Sequence, residues 1–354
     1  MPLPEPARIL VRAPNWVGDV AMAVPAFARI RAAFPDAHVT CGLRPYLRRL
    51  LDGSGFFDEF LELPKRRGIG AMSAFFDQVR RVRRGSFDLG IVLTNSLSSG
   101  WITRLGGVRW RAGYRQGRPF TMNLGLRAAA NRGLLQRRVG PKRVPTPMPE
   151  YYAALLDAIG LPPGPDDAAL RATPAERAAA DRWFEERGLA PDDKLVLFNA
   201  GASYGPSKLW PEEHWVALAE RYRATAWLPV FLAGPSEVDM VRRIAERAGV
   251  RAMIDPVVPL DVLKAFIERA ALVVTTDTGP RHIALSMRVP VVCLIGPNDR
   301  RYTDYALDRQ VVIQKALPCV PCQRKICPLG TGQCMRDIGV DEVFAAGQRL
   351  VAGG

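Results

Sequence analysis

No stretch of this 354-residue sequence approaches the ~20 consecutive apolar residues of a membrane-spanning helix, which excludes an integral helical membrane protein. The opening, MPLPEPARILVRAPNW, has no basic segment followed by an apolar one, so no secretory leader is expected and the expected compartment is the cytoplasm. Acidic residues are scarce in the first half: residues 1–150 hold 10 Asp and Glu against 25 Lys and Arg, whereas the remainder holds 25 against 24. A basic half beside a neutral one points to an anionic partner, either nucleic acid, a membrane face or a phosphorylated substrate, unless an arginine-rich composition accounts for the formal charge of +14. A recognisable nucleic-acid-binding module is also lacking, although Trp and Tyr are interleaved with arginines around 101–118.

What is present is a globular composition, 48% hydrophobic and 24% charged, in a chain too long for one ordinary core. Two domains of roughly 150 to 180 residues are expected. The first half alternates apolar strands (Ile9–Val11, His38–Gly42, Phe60–Leu63, Leu89–Leu93) with helical patterns near Asp19–Phe34, Pro45–Leu51 and Ala71–Arg83. Residues 114–149, basic and rich in Gly and Pro, read as a long loop, and LPPGPDD at 161–167 reads as an interdomain linker. The second half repeats the alternation: strands at Leu195–Phe198, Pro229–Leu232, Leu272–Thr275 and Val291–Ile295, with helices near Glu212–Arg223, Glu237–Ala248, Asp261–Ala270 and Pro280–Met287. This grammar implies parallel sheets covered by helices, with ligands at the loops that leave the strands' carboxyl ends.

Three such loops carry candidate chemistry. In Ala13-Pro-Asn-Trp-Val-Gly-Asp19, Asp19 either caps a helix or serves as a carboxylate able to take a proton from an attacking hydroxyl. In the loop from Ala200 to Pro211, Lys208 is either a solvated lysine or a point charge for phosphate; the Walker spacing is absent. In Thr275-Thr-Asp-Thr-Gly-Pro-Arg-His282, Thr278 and the backbone at the following helix start suit a diphosphate, while Asp277 suits sugar hydroxyls rather than phosphate. A capping role for that Asp or Thr, and simple packing for His282, are the plainer alternatives.

Together, NWVGDVAMAVPAF, NAGASYGPSKLWPEEHW and DTGPRHIA, in this order and over about residues 8–345, resemble the ADP-heptose:lipopolysaccharide heptosyltransferases of glycosyltransferase family 9, most of all those of the second heptosyl step. The resemblance implies an α/β chain of the GT-B class, two doubly wound Rossmann-like domains facing each other across a cleft. An acceptor-binding domain is expected over 1–165 and an ADP-sugar domain over 173–335, with a C-terminal helix in 336–354 packing back on the first. By position, Asp19 resembles the catalytic base and Lys208 the residue that grips the ADP phosphates. Asp277 resembles the residue that orients the heptose, Thr278, Gly279 and His282 the residues around the phosphates, and Glu237 the acidic residue that binds ribose. The implied reaction moves a heptose from ADP-heptose to a phosphorylated lipid A core with inversion. No cofactor is required, no nucleic acid is expected, and the enzyme would lie against the inner face of the inner membrane. Lys65-Arg66-Arg67, Arg80 to Arg84 and Arg104 to Arg118 are candidates for contacts with the acceptor's phosphates.

Two departures bear on specificity: Asn15 stands where Ser is more usual, and Pro280-Arg281 replaces an apolar pair. A first-step acceptor or a different nucleotide sugar are the alternatives within the family; a basic nucleic-acid-binding protein is the alternative outside it, and it leaves the three loops without a purpose. Finally, Cys319, Cys322, Cys327 and Cys334 crowd into 16 residues, as either a structural zinc site or a reduced loop, while Cys41 and Cys293 read as core.

Overall fold

The computed structural model describes residues 5–66, 68–115, 118–126, 136–139 and 142–352. Contacts divide the chain into two units, residues 1–169 with 301–303, and residues 170–300 with 304–354.

In the first unit, β1 (Arg8–Arg12) is followed by α1 (Val17–Met22), α2 (Val24–Ala33) and β2 (His38–Leu43). Next come a 3-10 turn at Pro45–Leu47, α3 (Arg48–Leu51), β3 (Glu59–Glu62), α4 (Ala71–Arg84), β4 (Leu89–Val92), α5 (Leu97–Leu105) and β5 (Trp110–Gly113). The five strands form a parallel sheet in the order β3-β2-β1-β4-β5. Ile9, Leu10 and Val11 are buried on both faces, as the central strand of a helix-covered parallel sheet must be. The helix expected over Asp19–Phe34 is two helices, because Pro25 has no N–H to donate back; Ala23 ends the first and Pro25 sits in the opening turn of the second.

A short antiparallel hairpin, β6 (Gln136–Val139) with β7 (Lys142–Pro145), and α6 (Met148–Ala158) complete the unit. The hairpin occupies part of the stretch expected to be loop. The rest of that stretch at 116–117, 127–135 and 140–141, together with Arg67, lies outside the described residues.

The second unit runs through α7 (Pro174–Glu185), β8 (Lys194–Asn199), α8 (Glu212–Arg223), β9 (Trp227–Leu232), α9 (Val238–Ala248), β10 (Arg251–Met253), α10 (Leu260–Arg269) and β11 (Ala270–Thr276). It continues with α11 (Gly279–Ser286), β12 (Val291–Leu294), β13 (Gln310–Ile313), α12 (Gln333–Arg336) and α13 (Val340–Ala352). Its six strands are parallel in the order β10-β9-β8-β11-β12-β13. Phe198, Trp210, Trp215, Tyr222 and Phe231 build an aromatic core on one face of this sheet.

The C-terminal helix corrects an expectation. Expected to pack back on the first domain, α13 is grouped with the second unit, where Val343 and Ala346 enter the same core and Phe344 meets Tyr222 edge-on. The reason is legible in the contact: Gly347 has no side chain, and a Cβ there would stand 2.1 Å from the Tyr222 hydroxyl, so α13 can lie directly on α8.

Candidate active site

In each sheet the strand order reverses at one point, between β1 and β4 in the first and between β8 and β11 in the second. Loops leaving the two strands at such a point run in opposite directions and open a crevice between them. The candidate loops leave β1, β8 and β11.

In the second unit the fully buried strand end Thr275-Thr276 delivers Asp277 to the mouth of the β8–β11 crevice. Its backbone carbonyl accepts from the Lys208 amine at 2.7 Å and its Oδ2 from the same amine at 3.0 Å. Asn298, from the loop after β12, donates to Oδ2 at 2.8 Å, and Arg281, one turn into α11, donates to Oδ1 at 2.8 Å. His282 Nε2 stands 3.7 Å from Oδ1, and its Nδ1 lies 2.8 Å from the Tyr305 hydroxyl. Burial alone would disfavour the Asp277 carboxylate, but neighbouring His282 and the charges of Lys208 and Arg281 outweigh it and hold the group well below the usual carboxylate range. Burial also depresses His282, only partly offset by Asp277, so the imidazole is neutral at pH 7. Two cations therefore bracket one carboxylate in direct contact, inside a buried site.

The supporting structure is equally specific. Arg281 is fully buried and also grips Gln310 Oε1 through Nε and Nη2, at 3.1 and 2.9 Å. Asn199, at the end of β8, donates to Thr275 and Thr278 hydroxyls at 3.0 Å each, so the Thr278 hydroxyl is turned inward; it makes no capping bond to α11. Gly279 opens α11 with its backbone. Glu237 lies over the Lys208 loop: its Oε2 accepts from Gly234 N at 2.8 Å, and a Cβ on Gly201 would stand 1.9 Å from its carboxylate carbon. Thr276 ties the two loops together by donating to Gly201 O at 2.8 Å. Residues 76–332, a stretch that contains every one of these groups, match the family described as Glycosyltransferase family 9 (heptosyltransferase).

The chain belongs to glycosyltransferase family 9.

It is similar to lipooligosaccharide heptosyltransferase 2 of Haemophilus influenzae, 25% identical over 317 residues that cover 86% of this chain and 88% of the relative. Lipopolysaccharide heptosyltransferase 2 of Escherichia coli is 25% identical over 309 residues, 84% of each chain. Among solved structures, a family 9 glycosyl transferase from Veillonella parvula superposes with a TM-score of 0.85 at 23% identity, covering 100% of this chain and 99% of that one. The Escherichia coli ADP-heptose heptosyltransferase II superposes at 0.75 with 22% identity, covering 98% and 99%. The two doubly wound units are thus those of a GT-B glycosyltransferase.

In the first unit of this family 9 enzyme, Asp19 stands in the first turn of α1, whose N-cap is Trp16; the carboxylate is half-buried, and its charge helps to raise the pKa of Tyr46 and of buried Tyr152, after the burial of each. Asn15 is held from three sides. Arg12 Nη2 donates to its Oδ1 at 2.7 Å, Arg44 Nε at 3.0 Å, and the Tyr46 hydroxyl donates to its backbone carbonyl. Beside it, Trp16, Arg44, Tyr46 and Lys65 line a depression of about 620 Å³. From the loop after β4, Thr94 and Asn95 meet buried Arg118, which donates to Thr94 O at 2.7 Å.

Asn298, Gln310 and Tyr305 were not singled out by sequence reasoning, and Arg118 only as the end of a basic stretch; each lies on a strand end or loop whose neighbourhood is set by sheet register. Cys319, Cys322, Cys327 and Cys334 do share one lining, that of an apolar cavity of about 170 Å³. Among the described residues, however, no three His, Cys, Asp or Glu stand close enough to hold one ion. The segment has another use: Ser207 N and Oγ bond to Lys325 O and Arg324 O, at 3.1 and 2.5 Å, and the Tyr204 hydroxyl donates to Gln323 O at 2.8 Å, which fixes the Lys208 loop.

Proposed function

We propose that this enzyme transfers a heptose from ADP-L-glycero-β-D-manno-heptose to heptosyl-Kdo2-lipid A during lipopolysaccharide inner-core synthesis. The observation that carries the reading is the buried Lys208–Asp277–Arg281 cluster at the start of α11, which offers cationic and backbone N–H partners to a diphosphate and a carboxylate edge to sugar hydroxyls. The relatives named heptosyltransferase 2 support the second heptosyl step.

In this reading Asp19 takes the proton of the acceptor hydroxyl, whose oxygen forms the new bond to the anomeric carbon as the bond to ADP breaks on the opposite face. Lys208, Gly279 and the α11 start stabilise the departing diphosphate, at ~3 to 4 kcal/mol for each well-placed donor, so the reading needs no metal. Asp277 and His282 orient the heptose, Thr278 holds the loop through Asn199, and Glu237 receives the ribose hydroxyls. Lys65 and Arg66, beside the Asn15 depression, receive acceptor phosphate. The acceptor is amphiphilic, which places the enzyme at the inner face of the inner membrane.

Transfer is measured from ADP-heptose to lipid A core carrying one heptose and to the same core without it. Product only with the heptosylated core supports the second step; product only with the bare core moves the assignment to the first step, and product with neither overturns the donor.

A further inference from the structure

α4 carries one face that packs and one that does not. Ala74, Gln78 and Val82 are buried, Phe75 and Val79 pack against the apolar cluster to which Val82 belongs, and the Gln78 amide locks the helix by donating to Pro64 O and Ala74 O at 2.9 and 3.1 Å. On the opposite face and the turn leading into it, Ile69, Met72 and Phe76 are 105%, 65% and 48% exposed. Their spacing of three and four residues puts them in one stripe, ~10 Å long at 1.5 Å per residue. The stripe then changes character: Arg80, Arg83 and Arg84 are exposed along the next two turns, with Lys65 and Arg66 at the other end. Neither Arg80 nor Arg84 has an acidic partner among the described residues, while Asp77, on the same helix, is already paired with Arg81 at 2.7 Å.

Three large apolar side chains in a row, rimmed by unopposed cations and free of unopposed acids, are not the face of an ordinary solvated helix. A protein partner's apolar groove would match the apolar residues but leave the cations at both ends unanswered. An anionic bilayer surface matches both, because its acyl boundary accepts the side chains while its phosphates meet the arginines. We infer that the Ile69–Met72–Phe76 face of α4 docks this enzyme on an anionic lipid surface. The inference deepens, and rests on, the reading that the acceptor lies in a membrane. Lys65 lines the depression beside Asn15 and Trp16, so the docked face adjoins that depression within the same unit.

The full chain is sedimented with vesicles of phosphatidylcholine alone and of phosphatidylcholine mixed with phosphatidylglycerol, neither containing acceptor. Binding is expected with the mixed vesicles and weakened by salt. It should fall about tenfold or more in a Met72→Asp, Phe76→Asp double variant, which keeps its unfolding midpoint because both side chains are exposed. The same variant is assayed for heptose transfer to a deacylated, water-soluble core, where the rate is expected to be unchanged. Failure of the wild type to bind mixed vesicles, or undiminished binding by the variant, overturns the inference. So does a wild-type dimer that the variant converts to monomer, since the face would then belong to a second copy. Absence of transfer by the wild type to the soluble core would instead defeat the heptosyl reading, whatever the vesicles show.

Discussion

Asp277 is the residue on which the donor chemistry proposed for the second unit turns, and its surroundings are ones in which a carboxylate could stand beside a diphosphate. A lone buried anion would repel such a ligand, but here Lys208 and Arg281 touch it, so the carboxylate positions two cations, beside the sugar contact proposed for it. Removing it in Asp277→Ala would leave both cations buried without a counter-charge, and a loss of ~3 to 5 kcal/mol is expected, read from the urea midpoint. Because its folded pKa is depressed, the Asp277 contribution is fully present above the unfolded value near ~3.9 and is lost only as pH falls through the lower folded value. His282 acts earlier. Its folded pKa lies below ~6.5, the unfolded chain binds the proton first, and stability therefore declines as pH drops below that point; in His282→Asn this part of the slope should vanish. For the proposed roles, Asp19→Asn should leave ADP binding intact and lower turnover by roughly 10²- to 10⁴-fold. Unchanged turnover would remove Asp19 from the chemistry. Lys208→Ala should weaken ADP binding in calorimetry, and an unaltered affinity would place the lysine in Asp277 support alone.

At the scale of elements, close approach depends on missing side chains. The contact of α13 with α8 tolerates no Cβ at position 347, and a Gly347→Ala change, although favourable to an isolated helix, should destabilise the chain by ~1 to 3 kcal/mol as Tyr222 and Leu272 are displaced. Unchanged stability would mean that α13 can ride away from the sheet at no cost. This helix also marks where sequence reasoning stops. Its amphipathic pattern is visible along 341–351, but which unit receives its apolar face is a tertiary fact that periodicity does not encode. The three strand-end loops were legible because each joins an apolar strand to a helix start with Gly, Asp or Lys at the turn. Asn298 and Gln310 were not, since they reach Asp277 and Arg281 only through the parallel register that sets β11 beside β12 and β12 beside β13. Arg281 was noticed as a departure from the family pattern, yet its burial shows it to be a strut of the candidate site; the hairpin was hidden in a stretch whose Gly, Pro and Arg content suggested only loop. Pro25 was visible in the sequence, but its consequence, two helices instead of one, follows from a missing N–H that a broad apolar pattern conceals.

Across the whole molecule the charge is segregated, with 25 basic against 10 acidic residues in the first 150 and near balance afterwards. If the first unit receives a phosphorylated acceptor and the second a nucleotide sugar, the two substrates should answer differently to salt. The acceptor is drawn by a field spread over many exposed arginines, and at 0.1 M ionic strength such fields are screened beyond ~10 Å. The proposed donor site would work instead through Lys208 and Arg281, which are in direct contact with Asp277 and largely shielded from solvent ions. Raising salt from ~0.02 to ~0.3 M, where the screening length falls severalfold, should therefore raise KM for a water-soluble phosphorylated acceptor severalfold while KM for ADP-heptose moves much less. Using a soluble acceptor keeps lipid docking by α4 out of the measurement. Equal shifts in both constants would mean that the basic surface does not guide the acceptor, and would leave the charge of the first half to lipid contact or to composition alone.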